Sequence, residues 1–110
     1  MKIIEVDDKN YEQEVIDSKR PVVVYFSASW CKFCSVMLPR FENLVEEFKG
    51  NVKFCKADVD KSIEFANKSN IKGVPCIIIF KAGREIGRIV GVESQQVLLE
   101  KIESHLSDYF

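Results

Sequence analysis

At 110 residues the chain has room for one ordinary domain and too little for two. Hydrophobic residues make up 46% and charged residues 30%, which is globular composition and excludes the apolar-poor signature of disorder. With 16 basic and 17 acidic residues the net charge is −1, giving no electrostatic reason to bind nucleic acid or an anionic membrane; the longest apolar runs, five to seven residues, fall far short of the roughly 20 a membrane span needs.

In chain order, Ile3 to Val6 is a short strand candidate. Glu5, Asp7 and Asp8 break any apolar stretch that a secretory signal would need, so the protein is expected in the cytoplasm, where structural disulfides are rare. Tyr11, Val15 and Ile16 suggest a short helix. Pro21-Val22-Val23-Val24-Tyr25-Phe26 is an apolar run without polar alternation, as expected of a strand covered on both faces. Met37, Phe41, Leu44, Val45 and Phe48 recur at helical spacing among charged residues and predict a helix over 31–49, stopped by Gly50-Asn51. Val52 to Val59 is a third strand, and Ile63 to Ser69 a helix ending before Asn70. Cys76-Ile77-Ile78-Ile79-Phe80 is a second fully apolar run. Ile86 to Val90 follows a turn signal at Gly83 and should pair with it as a hairpin. Glu93-Ser94 opens a last helix striped by Leu98, Ile102 and Leu106. The order β-α-β-α-β-α-β-β-α predicts an α/β fold: a mixed five-stranded sheet flanked by four helices, in a single domain over 1–110.

Four cysteines are present: Cys31, Cys34, Cys55 and Cys76. By count alone they fit two disulfides, a thiolate metal site, a redox pair with spares, or four buried thiols. Ser29-Trp30-Cys31-Lys32-Phe33-Cys34 narrows this, because it falls between a buried strand and a long amphipathic helix. A helix N-terminus carries partial positive charge and unpaired N–H groups, so a thiol placed there ionises more readily. Two cysteines two residues apart in a first helical turn can close a small disulfide ring with little backbone movement. Cys31 is therefore read as the attacking thiolate, and Cys34, deeper in the helix, as the thiol that resolves the mixed disulfide. A zinc site ordinarily needs a second close pair, and the sequence has none.

Trp30-Cys31-x-x-Cys34 after an apolar strand, Pro39 within the next helix, Lys56-x-Asp58-x-Asp60, Gly73-Val74-Pro75, Phe80-Lys81-x-Gly83 and Gly91 together resemble the thioredoxin family, in order and spacing over nearly the whole chain. The resemblance implies the thioredoxin fold and several roles. Pro75 would be a cis-proline facing the Cys31 sulfur, turning the Val74 backbone toward an extended substrate strand. Pro39 would kink its helix. Trp30 would offer a flat apolar surface beside the disulfide, the plainer alternative being core packing. Gly91 would admit a partner's backbone.

Three departures stand out. Lys32-Phe33 replaces the family's usual Gly-Pro; a cation and a restored backbone N–H both favour the reduced form and make the disulfide somewhat more oxidising. Tyr25 stands where the family commonly has a buried aspartate that helps deprotonate the resolving cysteine. Tyrosine ionises near pH 10 and is a poor base, and Lys56 loses its usual partner and is expected to reach solvent. Cys76 stands where threonine is usual, and is read as a small buried residue over an extra redox or metal-binding thiol. Cys55 is read as strand packing, and His105 as a solvated helix-end residue.

The expected activity is thiol–disulfide exchange on protein disulfides, in the reducing direction, without a cofactor beyond the Cys31–Cys34 pair and without a metal. Expected partners are disulfide-containing proteins and a thioredoxin reductase or other thiol donor, with the protein acting as a monomer. The alternatives are a glutathione-linked enzyme, an isomerase or oxidase of higher potential, a metal or cluster protein using Cys31, Cys34 and Cys76, and a non-catalytic module sharing the fold.

Overall fold

The computed structural model describes residues 2–107; Met1 and residues 108–110, the ends of the expected domain, lie outside them. Five strands form one sheet: β1 (Ile3–Val6), β2 (Val22–Ser27), β3 (Lys53–Asp58), β4 (Cys76–Lys81) and β5 (Arg84–Val90), in the spatial order β1-β3-β2-β4-β5. The pairs β1–β3 and β2–β3 are parallel, and β2–β4 and β4–β5 are antiparallel. The mixed five-stranded sheet expected from the order of elements is thus the observed one.

The two fully apolar runs lie side by side in the middle. Val22 to Phe26 and Cys76 to Phe80 are buried throughout, because helices cover both faces. On one face, α1 (Lys32–Leu44) and α3 (Gln95–Leu106) bring Met37, Phe41, Leu44, Leu98, Ile102 and Leu106 against Val23, Tyr25, Phe54, Ile77 and Ile79. On the other, a short π-helical segment (Glu12–Ile16) and α2 (Ile63–Lys68) bring Tyr11, Val15 and Phe65 against Val24, Phe26, Cys55, Cys76, Ile78 and Phe80. Each large side chain so buried contributes roughly 1.5–3 kcal/mol.

Boundaries differ most from the sequence reading in three places. The helix predicted over 31–49 is α-helical only to Leu44 and tightens to 3₁₀ geometry over Val45–Phe48, before Lys49 and Gly50 turn left-handed. The first short helix is wound wide, with the Asp17 N–H donating to the Glu12 carbonyl at 2.8 Å. The last strand starts at Arg84, two residues before Ile86, because Ala82 and Gly83 both take positive φ and close a two-residue turn between Lys81 and Arg84.

Cys55 and Cys76 are packing residues on the second face. Cys55 is fully buried, and burial pushes its thiol up to about 12. A thiol held neutral in the fold but free to ionise when unfolded makes stability fall as pH rises through the unfolded thiol's pKa, near 9. Urea unfolding at pH 10.5 should therefore show about 2 kcal/mol less stability from this residue than at pH 8. Cys55→Val should remove that part of the loss; an identical pH dependence in the variant would refute the assignment.

Candidate active site

β2 ends at Ser27, and the chain crosses Ala28-Ser29-Trp30 to reach Cys31. Cys31 has extended backbone geometry (φ −91°, ψ 111°) and caps α1: its Sγ accepts the Cys34 N–H at 3.2 Å. Sulfur here does what a Ser or Asp oxygen does at an ordinary helix start, satisfying an otherwise unpaired N–H. The same sulfur lies 3.6 Å from the Val74 carbonyl, within reach of an S–H donation. Cys31 is half-buried, and Lys32 and Phe33 beside it are exposed. Cys34, a turn further on, is buried beneath them, and both thiols are free.

Burial, with the Cys31 thiol second, pushes the Cys34 thiol up to about 11. Tyr25 lies next to it, fully buried and stacked on Phe41 at 5.1 Å between ring centroids. Its hydroxyl donates to the Cys34 carbonyl at 2.8 Å. Desolvation, and then the Cys34 thiol, hold the phenol well above its ordinary pKa of 10, so it stays protonated. Lys56 is register neighbour to Tyr25 on one side and to Glu5 on the other. Its side chain is 35% exposed, and its Nζ lies 3.7 Å from Oε1 of Glu5, itself 81% exposed. The edge strand gives Lys56 a carboxylate partner at the surface. Tyr25, Cys31, Cys34, Lys56 and Glu5 line one open groove of about 380 Å³.

The Val74–Pro75 peptide is cis, and the loop carrying it faces Cys31 through the Val74 carbonyl. Gly91, φ +89°, follows β5; its N–H donates to the Pro75 carbonyl at 2.9 Å, and a side chain at this position would point into open space. Positive φ explains why glycine stands there. Trp30 is 68% exposed, which removes the core-packing alternative. Its indole N–H donates to Asp60 Oδ2 at 3.0 Å. Trp30, Ile63, Ile71 and Val74 line a second, apolar groove of about 220 Å³ beside the thiols. Asp60 and Ile63 were not singled out from sequence. Asp60 sits inside the Lys56-x-Asp58-x-Asp60 pattern, but its indole contact is made across 30 positions of chain.

Cys76, two residues from Val74 in sequence, is on the opposite face of the sheet from Cys34, among Phe26, Phe65 and Ile78. Successive strand residues point to opposite faces, and this separates Cys76 from the pair. Among the described residues no group of three or more His, Cys, Asp or Glu is placed to hold a metal ion, and no helix is long and apolar enough to cross a membrane. His105 is exposed on α3 and its ring lies over Gly87.

A half-exposed thiol capping a helix, a buried thiol one turn below it and a proline-bearing loop opposite define a dithiol–disulfide exchange protein. The family model for thioredoxin matches residues 2–104. The chain is 32% identical over 102 residues to Thioredoxin 1 of Nostoc sp., covering 93% of this chain and 95% of that one. Over 104 residues it is 34% identical to Thioredoxin C-2 of Corynebacterium nephridii, covering 94% and 96% of the two chains. It is 32% identical to the thioredoxin of Chlorobaculum thiosulfatiphilum over 105 residues, covering 96% and 97%. The chain belongs to the thioredoxin family and is a thiol–disulfide oxidoreductase.

Proposed function

We propose that the protein is a monomeric cytoplasmic reductant of protein disulfides, with Cys31 as nucleophile and Cys34 as resolving thiol. The observation that carries the division of labour is the difference in access: Cys31 is half-exposed at the helix start and Cys34 is 5% exposed beneath it. Cys31 Sγ attacks one sulfur of the substrate disulfide; that S–S bond breaks, and the first substrate sulfur leaves as a thiolate and takes up a proton. Cys34 then loses its proton and attacks Cys31 Sγ. The second substrate sulfur departs with the electron pair, and the protein is left as the Cys31–Cys34 disulfide. Two electrons have passed to the substrate, and a thioredoxin reductase or another dithiol donor restores them.

Trp30, Phe33, Val74 and Gly91 form the surface that receives the substrate chain, with the buried Pro75 supporting it from beneath. An apolar surface of this kind suits many partners, since it depends little on matched charge. The cytoplasm, where thiols are kept reduced, suits a chain that also carries the two buried free thiols Cys55 and Cys76.

Reduction of insulin with dithiothreitol, thioredoxin reductase or glutathione as electron source tests the reading, and should run with the first two. Titration against glutathione places the potential. Lys32 and Phe33 favour the reduced pair, but an exposed lysine contributes well under 1 kcal/mol. The expected potential is thus only modestly less negative than about −270 mV and far from the roughly −120 mV of a strong oxidant. A value below about −270 mV would overturn the role given to Lys32-Phe33, and one near −120 mV the reductant assignment.

A further inference from the structure

We propose that Arg88 is a positioning residue for the exchange reaction, holding the loop that presents the Val74 carbonyl to Cys31 and to the substrate. This rests on the assignment of that loop as substrate-facing. Arg88 is on β5, paired with Ile78 of β4, and is far in sequence from either thiol. Its guanidinium is held by Glu85 through two bonds, Nε to Oε2 at 2.8 Å and Nη2 to Oε1 at 2.7 Å. So oriented, it donates to the carbonyls of Ser69 at 2.6 Å (Nη2) and Asn70 at 3.2 Å (Nη1).

Those two carbonyls are at the end of α2. The helix stops with Asn70 in the left-handed region (φ 55°), with Asn70 N–H returning to Asn67 and Ile71 N–H to Ala66. Helix-terminal carbonyls lack partners within the helix and carry partial negative charge, and a planar cation meets both needs. Only Ile71 to Pro75 then separate the clamp from the next anchor, where the Gly91 N–H holds the Pro75 carbonyl at 2.9 Å. Both anchors belong to β5 or the residue after it. Between them the loop borders the groove under Trp30 and Ile63, and a side chain at Gly73 would touch nothing. Val74 packs on both cores, but the loop's placement along the sheet depends on its two ends.

The position of the Val74 carbonyl matters for a protein substrate, whose backbone must lie along the loop, and much less for a small disulfide that meets only the Cys31 sulfur. Arg88→Ala should therefore raise KM for insulin about tenfold while leaving its kcat, and the rate with dithiobis(nitrobenzoate), within about twofold of the parent protein. Arg88→Lys keeps a cation at the helix end but loses the bidentate grip, and should restore part of the KM. Glu85→Gln weakens the orientation without removing the donor, and should raise KM about threefold; it carries the test if Arg88→Ala does not fold. An unchanged KM for insulin in a folded variant would overturn the proposal. So would a proportional loss in both assays, which marks a merely structural role. Failure of the parent protein to reduce either disulfide would instead count against the underlying reductant assignment.

Discussion

Serine in place of Cys31 abolishes reduction of protein disulfides, and serine in place of Cys34 leaves a protein that captures its substrates covalently. A hydroxyl neither attacks a disulfide nor forms one, so without Cys31 the half-exposed sulfur that opens the reaction is gone. Without Cys34 the first step still runs. The mixed disulfide then waits for an external thiol in place of a partner one helical turn away, whose effective concentration is far higher. Turnover should drop by at least about 10²-fold for that reason alone. Non-reducing electrophoresis and intact mass of Cys34→Ser after exposure to a disulfide protein should show a one-to-one adduct on Cys31. Wild-type turnover by Cys34→Ser would remove its resolving role, and an adduct formed by Cys31→Ser through Cys34 would reverse the order of attack.

The second large effect concerns how Cys34 loses its proton. Burial, the leading cause, and the Cys31 thiol raise its thiol to about 11 in the dithiol form; the Cys31 share is lost in the mixed disulfide, but burial persists there. At pH 7 the Cys34 thiol is therefore almost wholly protonated, and resolution should accelerate about tenfold per pH unit from neutrality upward. Tyr25 relieves this only slightly: its phenol is held above its ordinary range and cannot take the proton, its hydroxyl donates to the Cys34 carbonyl, and the hydrogen bond it offers the Cys34 thiol ranks below burial and the Cys31 thiol. Tyr25→Asp puts a carboxylate in the same buried place, where burial lifts it toward neutrality and suits it to take the proton. Decay of the mixed disulfide at pH 7 should then be faster by on the order of tenfold, with a shallower pH dependence. Losing the ring stacked on Phe41 costs about 3–5 kcal/mol of stability, so the measurement belongs well below the melting temperature. Tyr25→Phe is the complementary variant. It removes the hydroxyl and its small help to the thiol without adding a base, and should resolve no faster than the parent protein. An aspartate variant that decays no faster than the parent, or a phenylalanine variant that decays as fast as the aspartate one, would show that the missing base at position 25 is not the brake.

Much of this site was legible in the sequence because it is local. Cys31 and Cys34 stand one turn apart at a helix start, and the strand before them and the helix after them are marked by short-range patterns. The same holds for the two apolar runs, whose lack of alternation already requires cover on both faces. Tyr25 could be recognised as standing in place of a base through the resemblance to the family. The pairing of Lys56 with Glu5 could not. Glu5 reaches Lys56 only because β1 pairs with β3 in a particular register, and a register shift of one residue would turn Glu5 to the other face. Asp60 under the Trp30 indole and Arg88 under the end of α2 are likewise side-chain contacts made across 30 and 18 to 19 positions of chain.

By itself, then, the sequence determined the class of fold and brought forward the Cys31–Cys34 pair, with Cys31 as the sulfur proposed to open the reaction, since propensity, hydrophobic period and helix-end electrostatics act over a few neighbouring residues. Tertiary structure decided what the other two cysteines are. The pleat sends Cys55 and Cys76 to the face away from Cys34, so four thiols that a count could group as one site are separated by the thickness of the sheet. It decided also that Trp30 lies outside the core, that Lys56 is paired, and that one arginine on the edge strand holds the loop opposite Cys31. These depend on strand register and on long side chains meeting across the fold, and no short-range pattern carries that information.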